Sequence, residues 1–218
     1  MQASAAGHSI GGMLAMGLRR WGAWIVVADG LVWLADGLIT REFAPTYWSA
    51  TRLIDDAAVL VHTGGLLLLA ISLAVVHQRQ ADGAGVFGWA AFLVAFVGAA
   101  LAALGNVAED GLRIAAAGSL FMGGMVLLGT GLLLFGIASL RPRTLPVAPG
   151  VLLLLSLVVG YPLGGLWSSW FGKVLLGLVW IALGGLLILK PGSPGTSSSF
   201  GSTRPGPSPH IVHSMEED

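Results

Sequence analysis

Hydrophobic residues along the chain fall into six long runs, which polar or proline-rich stretches separate. Most runs approach or exceed the roughly 20 residues that a transmembrane helix needs. None alternates between apolar and polar positions as a barrel strand does, and backbone within lipid must pair its own polar groups. We therefore expect an all-α fold, a polytopic membrane helical bundle of six transmembrane helices. The expected spans are 21–39, 57–76, 85–104, 114–140, 147–163 and 171–189.

These runs divide the chain into three regions. Residues 1–20 form an N-terminal cytoplasmic segment, 21–190 the six-helix transmembrane domain, and 191–218 a tail of proline, glycine and serine that predicts disorder. Within the fifth span, Pro162 ends or kinks the helix. A kinked full span is the favoured interpretation and a re-entrant segment is the alternative.

Composition supports a membrane location. Hydrophobic residues make up 55% of the chain and charged residues 10%, against about 25% charged in soluble domains. The net charge is zero, so we expect no nucleic-acid partner and a lipid bilayer as the surrounding phase. The chain has no cysteine, and His62 is its only histidine inside a span. Thiolate metal sites and a haem with two histidine ligands are therefore not expected, and we predict neither a metal nor another cofactor.

The arginines and lysines predict an orientation. Seven of the eleven lie on the side of the N-terminus and four on the opposite side. By the positive-inside rule, both termini are expected in the cytoplasm.

Small residues recur at helical spacing in three spans, and small residues let helix backbones approach closely in lipid. Alanines repeat every four positions in the third span, glycines are frequent in the fourth, and Gly177 and Gly184 share a face in the sixth. We expect these three spans to be tightly packed. A glycine-lined permeation path is the alternative.

The first span contains the repeat "ADGLVWLADGL", which places Asp29 and Asp36 seven residues apart. Seven residues make about two helical turns, so both carboxyls lie on one face, about 10 Å apart along the axis. Asp29 falls near mid-depth, and a charge there must face protein or water rather than lipid. His62 lies in the second span at about the same depth as Asp36, so we expect these two side chains to be in contact. Glu109 is expected to close the site.

Two functions remain open for these residues. A carboxylate beside a histidine within a membrane is typical of a proton relay or cation site, which would make the protein a small transporter or a cation- or proton-binding protein. Alternatively, the aspartates serve packing alone, in a structural or accessory subunit that associates with itself or with a larger membrane complex. This second interpretation is the favoured one. No enzyme motif is present, so we predict no enzymatic activity, and Lys173 at the start of the sixth span is expected to snorkel to the membrane surface.

The stretches "HQRQADGAG", "LRPRTLP" and "LLGLVWIALGGLLI" resemble those of a group of small, uncharacterised multi-pass bacterial membrane proteins of the actinobacterial type. The likeness covers about residues 57–189. It implies a multi-pass topology in the bacterial plasma (inner) membrane. The group has no established activity, so the resemblance transfers no functional residue.

Overall fold

The computed structural model describes residues 10–43, 52–140, 147–160 and 169–189, and within these ranges the chain is helical without strands. Five segments are long and apolar enough to cross a membrane, and a shorter apolar helix lies between the fourth and fifth of them. The protein is therefore a helical membrane bundle, as predicted. The α-helices that the described residues form are α1 (Ile10–Phe43), α2 (Arg52–Asn106), α3 (Gly118–Ser139), α4 (Val147–Val158) and α5 (Ser169–Leu189).

The long helix α2 is a hairpin of two arms rather than one straight rod. Gly85 interrupts it with φ +57° and ψ −174°, a conformation that glycine adopts without a steric penalty. The rings of His77 and Phe92 stack 4.3 Å apart, whereas a continuous helix would separate them by about 22 Å. The predicted second and third spans are therefore the first and second arms of α2. The polar connection between them is helical up to the break at Gly85.

A π-helical turn, Val107–Gly111, and a short 3-10 turn, Ala115–Ala117, connect the second arm of α2 to α3. Between them Arg113 takes φ +59°, the one positive φ among the described non-glycine residues. Backbone N–H groups of Leu112 and Ile114 donate to carbonyls of the π turn, at 2.8 Å each. This hydrogen-bonded connection holds its acidic residues in a fixed position beside the bundle.

Glycines join α1 to α5 at backbone distance. A Cβ atom on Gly30 would lie 2.5 Å from the carbonyl oxygen of Gly177, and a Cβ on Gly177 would lie equally close to that of Gly30. Gly184 packs against α1 in the same way, and the Arg41 guanidinium lies 5.1 Å from the centre of the Trp170 ring. The predicted close packing of the sixth span is confirmed, and its partner is the first span.

The second arm of α2 packs equally tightly on α3. A Cβ on Gly131 would lie 2.2 Å from the backbone nitrogen of Ala95, and one on Gly124 would lie 2.3 Å from that of Ala102. The alanine face of the third predicted span and the glycine face of the fourth thus fit each other, as expected from their small residues.

In each copy of the Ala-Asp-Gly-Leu repeat of α1, the aspartate, the glycine and the leucine face different surroundings. Asp29 and Asp36 are 0% and 1% exposed, which confirms that their stripe faces the protein interior. The glycine after each aspartate lies against α5. The leucine after each glycine is about half exposed on the outer face of the bundle.

Several expectations fall partly or wholly beyond the described residues. Pro162, and with it the choice between a kinked and a re-entrant fifth span, lies outside them, as do the tail 191–218 and residues 1–9. The described part of the fifth span is the short helix Val147–Val158. At the other end, α1 begins at Ile10, and its membrane-length apolar part begins at Trp21, the expected start of the first span.

The glycine contact between α1 and α5 predicts a position-dependent effect of alanine. Gly177→Ala is expected to destabilise the protein by about 1–3 kcal/mol, because its methyl group would collide with the α1 backbone. Gly185→Ala, on the same helix, has no atom within 4 Å of the added carbon and should be neutral or slightly stabilising. Thermal unfolding in detergent measures both, and equal effects would contradict the described contact.

Candidate functional site

Asp36 is the centre of a buried ionic group that joins three helices. Its carboxyl interacts with His62 of α2, whose Nδ1 lies 2.8 Å from Oδ2. Lys173 of α5 lies within 3.0 Å of both carboxyl oxygens and also donates to the Thr40 hydroxyl at 3.0 Å. The expected contact between Asp36 and His62 is confirmed.

Lys173 differs from its prediction. Rather than snorkelling to the surface, its ammonium group turns to the buried Asp36. The physical reason is that an unpaired carboxylate at this depth is expensive, and an ammonium group within hydrogen-bonding distance removes much of that cost. The sequence offered no indication of this contact, because it did not show which span packs on α1.

Aromatic rings hold the His62 imidazole in position. Trp33, one turn before Asp36, meets it edge-on with ring centroids 5.3 Å apart, and Phe121 of α3 lies on another side at 6.2 Å. Gly65 leaves room for the indole, since a Cβ there would lie 3.2 Å from Trp33. The histidine that reaches Asp36 is therefore fixed by groups from α1, α2 and α3.

A cavity of about 210 Å³ lies beside this ionic group, at the end of the bundle that we call the Asp36 end. Asp36, His62 and Lys173 line it together with Glu109 and Asp110 of the π turn. Glu109 thus joins Asp36 and His62 as expected, while the sequence analysis did not assign Asp110 to the site. Helical periodicity could not predict where the Asp110 side chain points, because Asp110 lies in a π turn.

Asn106 also lines the cavity and fixes the end of α2 beside it. Its side-chain amide donates to the Thr63 hydroxyl at 2.9 Å and, at 3.5 Å, to the Val59 carbonyl of the first arm. These bonds tie the two arms of α2 together next to His62. Sequence reasoning missed Asn106, since a lone asparagine at a helix end is commonly only a cap.

The cavity is acidic. It carries three carboxylates against one ammonium group, with His62 as a further titratable group. No hydrogen bond or ion pair joins Glu109 or Asp110 to another described residue. In a site with low-dielectric walls, such an excess of one sign attracts the opposite charge.

Asp29 is separate from this cavity. It lies near the middle of the segment Trp21–Arg41, is fully buried, and does not line either cavity beside His62. The Ser72 hydroxyl and Trp33 indole approach it, but neither carboxyl oxygen has a hydrogen-bond partner among the described side chains. An ionised carboxyl without a partner is too costly in such surroundings, so a proton or a cation must accompany it.

The opposite end of the bundle is joined by a different polar pair. Gln80 of the first α2 arm donates its amide to the Ser139 hydroxyl at 2.7 Å, and both side chains are buried. Ser139 in turn donates to the Phe135 carbonyl at 2.7 Å. This end holds a neutral hydrogen-bonded contact where the Asp36 end holds an ionic group and a cavity.

Two further results bear on the chemistry. Among the described residues, no three histidine or acidic side chains converge closely enough to hold a metal ion. No protein-family model, curated protein or solved structure matches the chain. The case for a function therefore rests on the side chains of the site.

The ion pair predicts unequal effects of removing either partner. Lys173→Gln should cost about 3–5 kcal/mol, because it leaves a buried carboxylate with His62 alone. Asp36→Asn should cost less, since the Lys173 side chain is 20% exposed and can hydrate. The double variant should be more stable than the sum of the single effects implies, by about 0.5–3 kcal/mol.

Chemical unfolding of the four proteins in detergent measures this coupling. Glu109→Gln is the control, because no described residue pairs with that carboxylate, and it should change stability little. Additive single effects would show that the pair contributes nothing to the fold.

Proposed function

We propose that this membrane protein binds and relays protons, entering through the acidic cavity at Asp36 and reaching Asp29 in the membrane interior. The observation that carries the proposal is the Asp36–His62 contact at the wall of that cavity. A carboxylate and an imidazole 2.8 Å apart exchange a proton directly, and an imidazole can act as both proton donor and proton acceptor.

The geometry supplies a sequence of titratable groups from the cavity inward. Glu109 and Asp110 concentrate protons at the entrance, and the Asp36–His62 pair receives them. Asp29 follows two turns deeper on the same face of α1, about 10 Å along the axis, with Trp33 between the carboxyls. A relay over that distance needs a water or a movement of the Trp33 side chain, which makes the indole the gate of the proposed path.

A proton fits this site better than a multivalent metal. The described carboxylates and histidines do not converge as metal ligands, and Lys173 already occupies part of the coordination space around Asp36. Sodium or another monovalent cation is the related alternative, and the experiment below distinguishes it by replacing the cation in the buffer.

A packing role as an accessory subunit is the second candidate, and the enclosed position of Asp29 favours it. In that case Asp29 carries a permanent proton and holds α1 in its place, and the chain acts through association with itself or a larger complex. An Asp29→Asn variant that loses assembly or stability, but shows no loss of proton flux, would support this role.

Proton flux in liposomes tests the proposal. Purified protein is reconstituted with an enclosed pH-sensitive dye, and a potassium diffusion potential drives protons across the membrane. Asp36→Asn and Asp29→Asn should each reduce the flux by about a hundredfold, because each removes a proton-carrying group. Asp56→Asn is the matched control, since Asp56 is exposed and does not line the cavity, and it should leave the flux unchanged.

The same measurement has clear contrary results. Wild-type flux no faster than that of empty liposomes would overturn the proposed function. Full flux in a folded Asp29→Asn variant would show that the proton path bypasses Asp29 and would return Asp29 to a packing role. The measurement is repeated with the sodium in the buffer replaced by choline, and proton flux that then disappears would identify the cation alternative.

The proposed location is a bacterial inner membrane with both termini in the cytoplasm, which places the Asp36 end outside. The natural chain has no cysteine, so single cysteines can be introduced without removing others. Leu112→Cys lies in the exposed connection before α3 and should react with an impermeant maleimide in intact cells. Ser198→Cys, in the tail, should react only after lysis, and the reverse pattern would invert the topology.

A further inference from the structure

A second cavity, of about 150 Å³, adjoins the acidic one, and it is lined almost entirely by apolar side chains. His62, Phe121 and Lys173 line both cavities, so the two spaces share one wall. Together they offer an ionic compartment at the Asp36 end and an apolar compartment next to it.

The apolar compartment runs lengthwise inside the bundle. On α3 its lining extends from Phe121 to Leu132, a distance of about 16 Å along the helix axis. Every helix contributes to it, including Trp33 from α1, Leu69 from α2, Ser156 from α4 and Leu176 from α5. Its long shape and apolar wall fit a single hydrocarbon chain.

The charged residues of the acidic cavity determine which charge a ligand's headgroup must carry. Lys173 and His62 are both engaged by Asp36, whereas Glu109 and Asp110 have no partner among the described residues. A cationic group entering the cavity would therefore meet two uncompensated carboxylates. Phe121, which lines both compartments, adds an aromatic ring of the kind that attracts ammonium groups.

We propose that the two cavities bind an amphipathic organic cation, an amine or quaternary ammonium compound with one hydrocarbon chain. Its headgroup lies among Glu109, Asp110 and Asp36, and its chain lies between Trp33 and Leu132. This inference rests on the proposed function in one respect: bound protons and the bound cation use the same carboxylates, so the two compete and proton movement can drive movement of the cation.

Equilibrium binding to the full chain in lipid nanodiscs tests the inference, with empty nanodiscs as the measure of partition into lipid. The probes are hexyl-, octyl- and decyltrimethylammonium, with decanoate and an uncharged decyl glycoside for comparison. Above the empty-nanodisc background, the ammonium compounds should bind saturably and tighten by up to about fourfold for each methylene that enters the cavity. Decanoate and the glycoside should bind at least about fivefold more weakly than decyltrimethylammonium.

Two sets of variants examine the two compartments separately. Glu109→Gln combined with Asp110→Asn should weaken ammonium binding about fivefold or more while leaving the chain-length dependence intact. Leu132→Phe, which fills the far end of the apolar compartment, should remove the gain from octyl to decyl. Leu133→Phe is its control, since Leu133 is 41% exposed on the outer face and does not line the cavity.

Thermal unfolding confirms that each variant is folded, and three results would overturn the inference. These are binding no stronger than to empty nanodiscs, tighter binding of decanoate that Lys173→Gln abolishes, and identical chain-length series in Leu132→Phe and Leu133→Phe. Proton flux measured on the same preparations separates this failure from failure of the proposed function. Normal flux without ammonium binding leaves a proton pathway that carries no organic cation.

Discussion

A carboxylate inside a bilayer must be enclosed by protein, and much of the arrangement of this bundle follows from meeting that constraint at Asp36. A single helix cannot enclose and pair a carboxylate by itself. The carboxyl needs His62 from α2 and Lys173 from α5, so three helices must meet at one point. The interaction is directional, and it sets the register of α1 against both neighbours, whereas apolar contacts in lipid specify register only weakly.

The glycines make this meeting sterically feasible. Gly30 and Gly37, each directly after an aspartate, bring α5 against the backbone of α1, and Gly37 lies beside the part of α5 that carries Lys173. The Ala-Asp-Gly-Leu repeat therefore combines two requirements in adjacent positions: a carboxyl directed to the interior and a bare backbone directed to α5. Because seven residues make close to two turns, the second copy meets both neighbours in nearly the same orientation as the first.

Much of the fold and part of the site could be predicted from the sequence. Hydrophobic length predicted the six apolar helical segments, five of them long enough to cross a membrane, and the seven-residue spacing put Asp29 and Asp36 on one inward face. The antiparallel pairing of two neighbouring spans placed His62 against Asp36. These features depend on bilayer thickness and on regular helix geometry, which are nearly the same for every membrane protein.

The parts that could not be predicted depend on tertiary packing. The sequence favoured a surface position for Lys173, and only the contact of α1 with α5 shows that a carboxylate lies within its reach. Asp110 and Asn106 belong to a π turn and a helix end, where small backbone changes decide the direction of a side chain. The cavities themselves are spaces between helices, and no periodicity along one segment describes them.

The two tight seams form two blocks of paired helices within the bundle, with consequences for how it can move. Backbone contact fixes α1 to α5, and it likewise fixes the second arm of α2 to α3. Asp36 and Lys173 belong to the first block, and Phe121 belongs to the second. His62 lies on the first arm of α2, which Asn106 ties to the second arm, so the acidic cavity lies between the two blocks. Sliding within either block would force backbones to collide, whereas rocking one block against the other changes only side-chain contacts. Such rocking would carry the first arm of α2 with the second block and would therefore change the distance between Asp36 and His62.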